Sequence, residues 1–172
     1  MSDTARDPSP WRLSWRADPA GRVLADRHYN RQSVGAKQFV PPSRCLVMIT
    51  GDRSALWVTS WPFAEYVKHD WAGAWVCSIF RNEGAHLSST LITHAVAHTR
   101  VRWPDVPDLG IVTFVDANKT RRKRDPGRCF RRAGWRHVGF TAGGLYVLQQ
   151  LPGEMPDPLS LPETQMPLWE AS

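Results

Sequence analysis

The sequence predicts an α/β (α+β) domain organised around one mixed sheet, and three observations carry that prediction. Apolar, β-branched and tryptophan-rich runs follow the order strands, helix, strand, helix, strand, with a hairpin early. At 172 residues, with 42% hydrophobic and 10% aromatic side chains, the chain can bury one domain's core, which excludes wholesale disorder. No period of roughly 20 to 50 residues recurs, so a repeat array is excluded as well.

Taken in order, Arg44–Thr50 and Ala55–Ser60 are rich in Val, Ile and Trp, and Gly51-Asp52-Arg53-Ser54 between them reads as a hairpin turn. A third run, Trp75–Phe80, is closed by Arg81-Asn82-Glu83-Gly84. In the stretch LSSTLITHAVAHTR, Leu87, Leu91 and Ala95 with Ile92 and Val96 fall at helical spacing, so a helix starts at about Leu87. Nearby hydroxyls can cap it, and Pro104 and Pro107 end it. Leu109–Val115 is apolar enough for a central strand buried on both faces. Pro126 opens a short helix in GRCFRRAGW that Gly134 stops, and Leu145–Gln149 is the last strand. Residues 1–10 read as a flexible N-terminus and 11–151 as the domain. Residues 152–172, with five prolines, four acids and no base, read as a disordered tail.

Three cysteines, Cys45, Cys77 and Cys129, lie far apart with no CxxC spacing, which favours a reducing cytoplasm over a disulfide framework or a zinc ribbon. The N-terminus has no apolar signal region and no stretch reaches the ~18 apolar residues of a membrane span. A cytoplasmic protein without a membrane partner is therefore expected. Most of the nine tryptophans read as packing residues.

The 22 Lys+Arg against 16 Asp+Glu give a net +6, which points to a polyanionic partner. The excess is local. From Lys119 to Arg136 there are nine basic residues and one acid, a net +8, so the rest of the chain sums to −2. Lys119, Arg121, Arg122, Lys123, Arg124 and Arg128 are the candidate phosphate contacts, and a single cofactor phosphate has no use for nine cations.

The sharpest local feature is the strand-to-helix junction Arg81-Asn82-Glu83-Gly84-Ala85-His86. It sets a cation and a glycine where a helix exposes unpaired N–H groups, which bind phosphate oxygens. Gly84 lets the backbone approach a ligand. Upstream, Asp26-Arg27-His28-Tyr29-Asn30-Arg31 gathers an acid, cations, an imidazole and a phenol. His28 suits proton transfer near neutral pH, and Tyr29 can donate or stack. Asp116 ends the strongest strand, where ligand sites gather in open α/β sheets. Tyr29, Phe39, Trp61 and Tyr66 are candidates to stack on a base. His94 and His98, at i and i+4, lack a third ligand and read as a polar helix face, so no metal is expected. Ser88 and Ser89 read as caps rather than nucleophiles.

These residues resemble the GNAT acyltransferase superfamily, whose members hold the coenzyme A pyrophosphate on a Q/R-x-x-G-x-G/A loop between the fourth strand and the third helix. Arg81-x-x-Gly84 matches the first two anchors, and His86 stands where the family has a small residue. The order of Leu109–Val115, Phe130-Arg131-Arg132-Ala133-Gly134-Trp135 and Leu145–Gln149 follows the family over about residues 44–150. The resemblance implies a mostly antiparallel central sheet flanked by helices. It also implies acetyl-CoA as cofactor, held by Arg81, Gly84, Ala85, His86 and Ser88. Phe130 occupies the place of a tyrosine that many members use as general acid, and it has no proton to give. The set His28-Tyr29, the Arg81 loop and Asp116 is similar to a divergent, phage-borne DNA-modifying branch of the superfamily. That likeness implies His28, Tyr29 and Asp116 as catalytic residues acting on an exocyclic adenine amine of DNA. A GNAT enzyme for a small amine or a protein, and a non-catalytic nucleic-acid-binding module with this fold, are the other two expectations.

Overall fold

The computed structural model describes residues 8–28, 34–119 and 125–162. Their core is a seven-stranded mixed sheet in the order β1-β2-β3-β4-β5-β7-β6. The strands are β1 (Trp11–Leu13), β2 (Arg44–Thr50), β3 (Ala55–Trp61), β4 (Trp75–Asn82), β5 (Ile111–Val115), β6 (Arg136–Phe140) and β7 (Tyr146–Gln150). Every neighbouring pair is antiparallel except β4 and β5, which are parallel and joined by α2 (Ser88–Arg102). The fold class is thus α+β, with a mostly antiparallel sheet. Among the described residues, no helix is long and apolar enough to cross a membrane.

Strand alternation divides the core between the two faces. Leu46, Met48, Ala55 and Trp57 point to the side where α2 packs Leu91, Ile92, Ala95 and Val96 and where α3 (Arg128–Arg132) packs Phe130. Val47, Ile49, Leu56 and Val58 point to the other side, under Leu24 and Ala25 of α1 (Pro19–Asp26). The latter helix begins at Asp18, whose carboxylate accepts from the Ala20 amide at 2.9 Å and from Ser14 Oγ at 2.6 Å, with Pro19 in the first turn. Between the faces, Trp57 Nε1 donates to Thr59 Oγ1 at 2.6 Å. Thr59 in turn shares a 3.1 Å bond with Thr99, which donates to the Ala95 carbonyl at 2.8 Å. Each hydroxyl has one proton, so the bonds run in one direction from β3 into α2.

Ser9 and residues 152–162 depart from expectation. Ser9 is buried, and its Oγ lies 2.7 Å from Nε2 of His98 on α2. Residues 152–162 lie against α2 rather than trailing as a disordered tail. The Leu159 amide donates to Ala97 O at 3.1 Å, Arg100 Nη1 donates to Pro156 O at 2.5 Å, and Met155 is buried. The prolines bar helix and sheet there, yet leave an irregular segment free to pack. Residues 163–172 lie outside the described residues.

His98 clasps Ser9 and Leu159. Its Nδ1 sits 2.5 Å from the Leu159 carbonyl, which can only accept, so the ring proton is on Nδ1 and Nε2 accepts from Ser9. Burial lowers its pKa from the ordinary 6.5, and burial lowers those of His94 and His69 too. As pH falls through 6.5 the unfolded chain takes up these protons before the folded one, so stability is lost on acidification. The melting temperature is therefore expected to fall from pH 7.5 to pH 5.5, and less in His98→Gln, which is itself less stable at pH 7.5. Thermal melts at the two pH values check this; an equal fall in the variant assigns the effect to the other groups.

Candidate functional site

The parallel β4–β5 pair is short. Trp75 pairs with Ile111 and Val76 with Val112. Just beyond, β4 carries a bulge: Val58 faces Ile79 and Thr59 faces Cys77, which leaves Ser78 as the extra residue. The bulge inverts the alternation, so Cys77 belongs to the α2-side core and Ile79 to the α1-side core. Ser78 Oγ lies 3.1 Å from Ser60 Oγ, and Thr113 Oγ1 donates to the Cys77 carbonyl at 3.1 Å. Because the two strands run the same way, the 81–87 loop and Asp116 emerge at the same end of the sheet.

Within that loop, Asn82 does the organising. Its Nδ2 donates to His86 O at 2.7 Å and to Ser88 Oγ at 3.0 Å, while its Oδ1 accepts from the Gly84 amide at 3.0 Å. The hydroxyls expected to cap α2 do not cap it. Leu87 holds the cap position with no side-chain bond, so the first-turn amides lack a capping side chain from that position. A Cβ on Gly84 would lie 2.1 Å from Ser54 Oγ, so the β2–β3 turn beneath it needs the glycine. In that turn, hydrogen bonds from Ser54 and Thr50 hold Asp52 at a pKa of about 2, aided by the nearby His86 charge. Ala85 and His86 are exposed.

Arg81 is already engaged. Its Nε donates to Glu83 at 2.5 Å and its Nη1 to the Arg27 carbonyl at 2.8 Å, while Arg27 Nη1 takes the other Glu83 oxygen at 2.6 Å. Hydrogen bonding from Arg81 lowers the Glu83 pKa. This exposed ion-pair cluster is one a phosphate can exchange into. It also draws the end of α1 against the loop, so half-buried His28, next to Arg27, stands beside it. Tyr29 lies outside the described residues. Asp116 closes a turn, its Oδ1 accepting from the Asn118 amide at 3.0 Å and its carbonyl from Lys119 at 3.1 Å. Phe130 is buried, with ring centroids 4.9 Å from Trp135, 6.0 Å from Phe80 and 6.5 Å from Trp57.

Of the basic segment, Lys119 is exposed, and Arg121, Arg122, Lys123 and Arg124 lie outside the described residues. Arg128, 3.9 Å from Asp125, shares that carboxylate with Arg131, and Arg136 pairs with Glu154. Both His98 nitrogens are committed, and no group of three metal-ligating side chains occurs among the described residues. The stacking candidates sort by exposure. Phe39 is buried against Gly21, and Trp61 is wedged between Trp75 and Trp103 with Arg44 4.3 Å over its ring. Tyr66 is 77% exposed. Sequence reasoning named Arg27 only among the cations of the 26–31 run, because its part at the loop depends on a contact 56 positions away, and it missed the exposed rings of β6.

Comparison with family models, with curated proteins and with solved structures finds no match to this chain.

Proposed function

We propose that the chain is a GNAT-like acyltransferase that takes an acetyl-derived group from acetyl-CoA and transfers it to a nucleobase amine, that of adenine in DNA. The observation that carries this reading is the parting of the one parallel strand pair at the Ser78 bulge, beside a helix start without a side-chain cap. Strand edges that no longer pair with one another beyond Val76 and Val112 suit the extended, amide-bearing arm of coenzyme A, and first-turn amides with Arg81 suit its diphosphate. The motif set of His28, Arg81, Gly84 and Asp116 is similar to that of the phage Mom DNA-modification protein, and the basic segment supplies the affinity for phosphate.

In this mechanism the amine nitrogen attacks the thioester carbon and passes its proton to His28 or Asp116, and the carbon–sulfur bond breaks. Buried, apolar Phe130 gives no proton to the leaving thiolate, which takes one from solvent. An exocyclic adenine amine is a weak nucleophile, so most of the rate must come from positioning.

Two measurements test the reading. Calorimetry is expected to show acetyl-CoA binding that Arg81→Ala weakens at least about tenfold, the loss of one charge-assisted phosphate contact. Mass spectrometry of nucleosides from DNA of expressing cells is expected to show a mass shift on deoxyadenosine that His28→Ala and Asp116→Asn abolish. No acetyl-CoA binding and no shift on any base reject the proposal. DNA binding without acetyl-CoA binding assigns the chain instead to a non-catalytic nucleic-acid module, a reading favoured by the Glu83 clamp on Arg81.

A further inference from the structure

The last two strands hold a cluster of rings that faces solvent. Phe140 pairs across the ladder with Tyr146, their ring centroids 4.8 Å apart. His137 lies nearly flat on Tyr146 at 4.8 Å and 29° and meets Phe140 edge-on at 5.0 Å. Phe140 is 56% exposed, His137 is exposed, and β6 is the outermost strand. Three rings that fix one another at the surface present a π-face already ordered before anything binds, which lowers the entropy lost when a flat partner stacks.

Cations surround this face. Tyr146 packs on the same core cluster as Phe130 and Trp135, so the rings lie on the α3 side of the sheet. There α3 carries Arg128, Arg131 and Arg132, while Arg136, paired with Gln149, alternates to the other face. Three arginines against Asp125 leave a surplus of two, and the ion pairs among them are exposed and exchangeable. Val115 pairs with Tyr146 and Tyr146 with Phe140, so the cluster is level with the end of β5, from which Asp116 and Lys119 follow.

We propose that His137, Phe140 and Tyr146 form a stacking platform for an unpaired base of a single-stranded nucleic acid, with neighbouring phosphates on the arginines of α3. A base inside a duplex offers only its edges, so the platform selects single strands or a base turned out of its stack. This rests on the nucleic-acid acceptor proposed above and adds the strand form and the rings that receive it. The bulge between His137 and Gly139 and the charge of Arg136 blunt the β6 edge against pairing with a second copy of the chain.

Fluorescence anisotropy with a labelled oligothymidylate and its duplex, on the full chain, tests the platform. The wild type is expected to prefer the single strand. Phe140→Ala is expected to weaken that binding roughly tenfold without changing the dependence of log K on log salt, because the lost ring is uncharged. Phe140→Trp is expected to bind as the wild type, and Arg132→Ala to reduce the salt slope by about one. Wild-type affinity in Phe140→Ala, or a preference for duplex, overturns the platform while leaving acetyl-CoA binding as the separate measure of the acyltransferase reading. No oligonucleotide binding by the wild type overturns the platform and the DNA acceptor together. A wild-type dimer that Phe140→Ala makes monomeric, with oligonucleotide binding intact, assigns the rings to self-association and also overturns the proposal.

Discussion

Gly110→Ala is expected to lower the melting temperature by roughly 8–16 °C, the equivalent of about 4 kcal/mol. Gly110 sits at φ +65°, and a Cβ there would lie 2.0 Å from the backbone oxygen of Gln150 and 3.0 Å from Leu151 Cα. Neither atom can retreat cheaply. Gln150 is paired with Ile111 in the β5–β7 ladder, and the Gly110 carbonyl accepts from Trp75 at the start of the β4–β5 pair. The left-handed backbone adds about 1–2 kcal/mol for any Cβ, and overpacking against a fixed neighbour adds about 1–3. Gly144→Ala separates the two contributions, because Gly144 has φ +86° but nothing within 4 Å of its Cβ position. It is expected to cost only the conformational part, and equal shifts in the two variants would remove the steric argument.

Trp57→Ala is expected to cost about 3–5 kcal/mol, a large share of the stability of a domain this size. Trp57 is fully buried, its ring 5.7 Å from Phe80 of β4 and 6.5 Å from Phe130 of α3. It also starts the hydrogen-bond chain through Thr59 and Thr99 into α2. Trp57→Phe keeps a ring in place but leaves Thr59 without its donor, and is expected to cost about 1–3 kcal/mol through ring volume and that bond. Urea unfolding of both variants, with an unchanged m-value, measures the difference. A Trp57→Ala midpoint near that of the wild type would mean that the cluster closes over the gap.

What the sequence made legible follows the physics of each element. Arg44–Thr50 and Ala55–Ser60 announced β2 and β3 because strands buried on both faces need uninterrupted apolar and β-branched residues. Leu91, Ile92, Ala95 and Val96 marked the inner face of α2 for the same reason. Gly134, at φ +91°, stopped α3 as expected. Three elements left no such signature. β1 is three residues long, and α1 is a short helix interrupted by Gly21, whose missing side chain admits Phe39 to 2.8 Å from its Cβ position. β6 is exposed along nearly its whole length, so no alternation marks it. The 81–87 junction was visible as a strand-to-helix turn. The Glu83–Arg27 clamp on Arg81 was not, since it joins residues distant in the chain, and the same holds for Leu159 against His98.

The brevity of the β4–β5 ladder also bears on how the molecule assembles. Strands β2, β3 and β4 pair with neighbours in sequence and β6 and β7 form a local hairpin, whereas β5 reaches β7 only across α3 and β6. Joining the halves of the sheet requires Trp75 to find Ile111, 36 positions on, for the return of only two residue pairs. The halves are therefore held together less by ladder hydrogen bonds than by the shared core under α2 and α3, in which Trp57 and Trp75 meet Ile111 and Leu148 in one cluster. A ligand lying along the end of that ladder would touch both halves of the sheet at once, and its binding free energy would add to the stability of the fold.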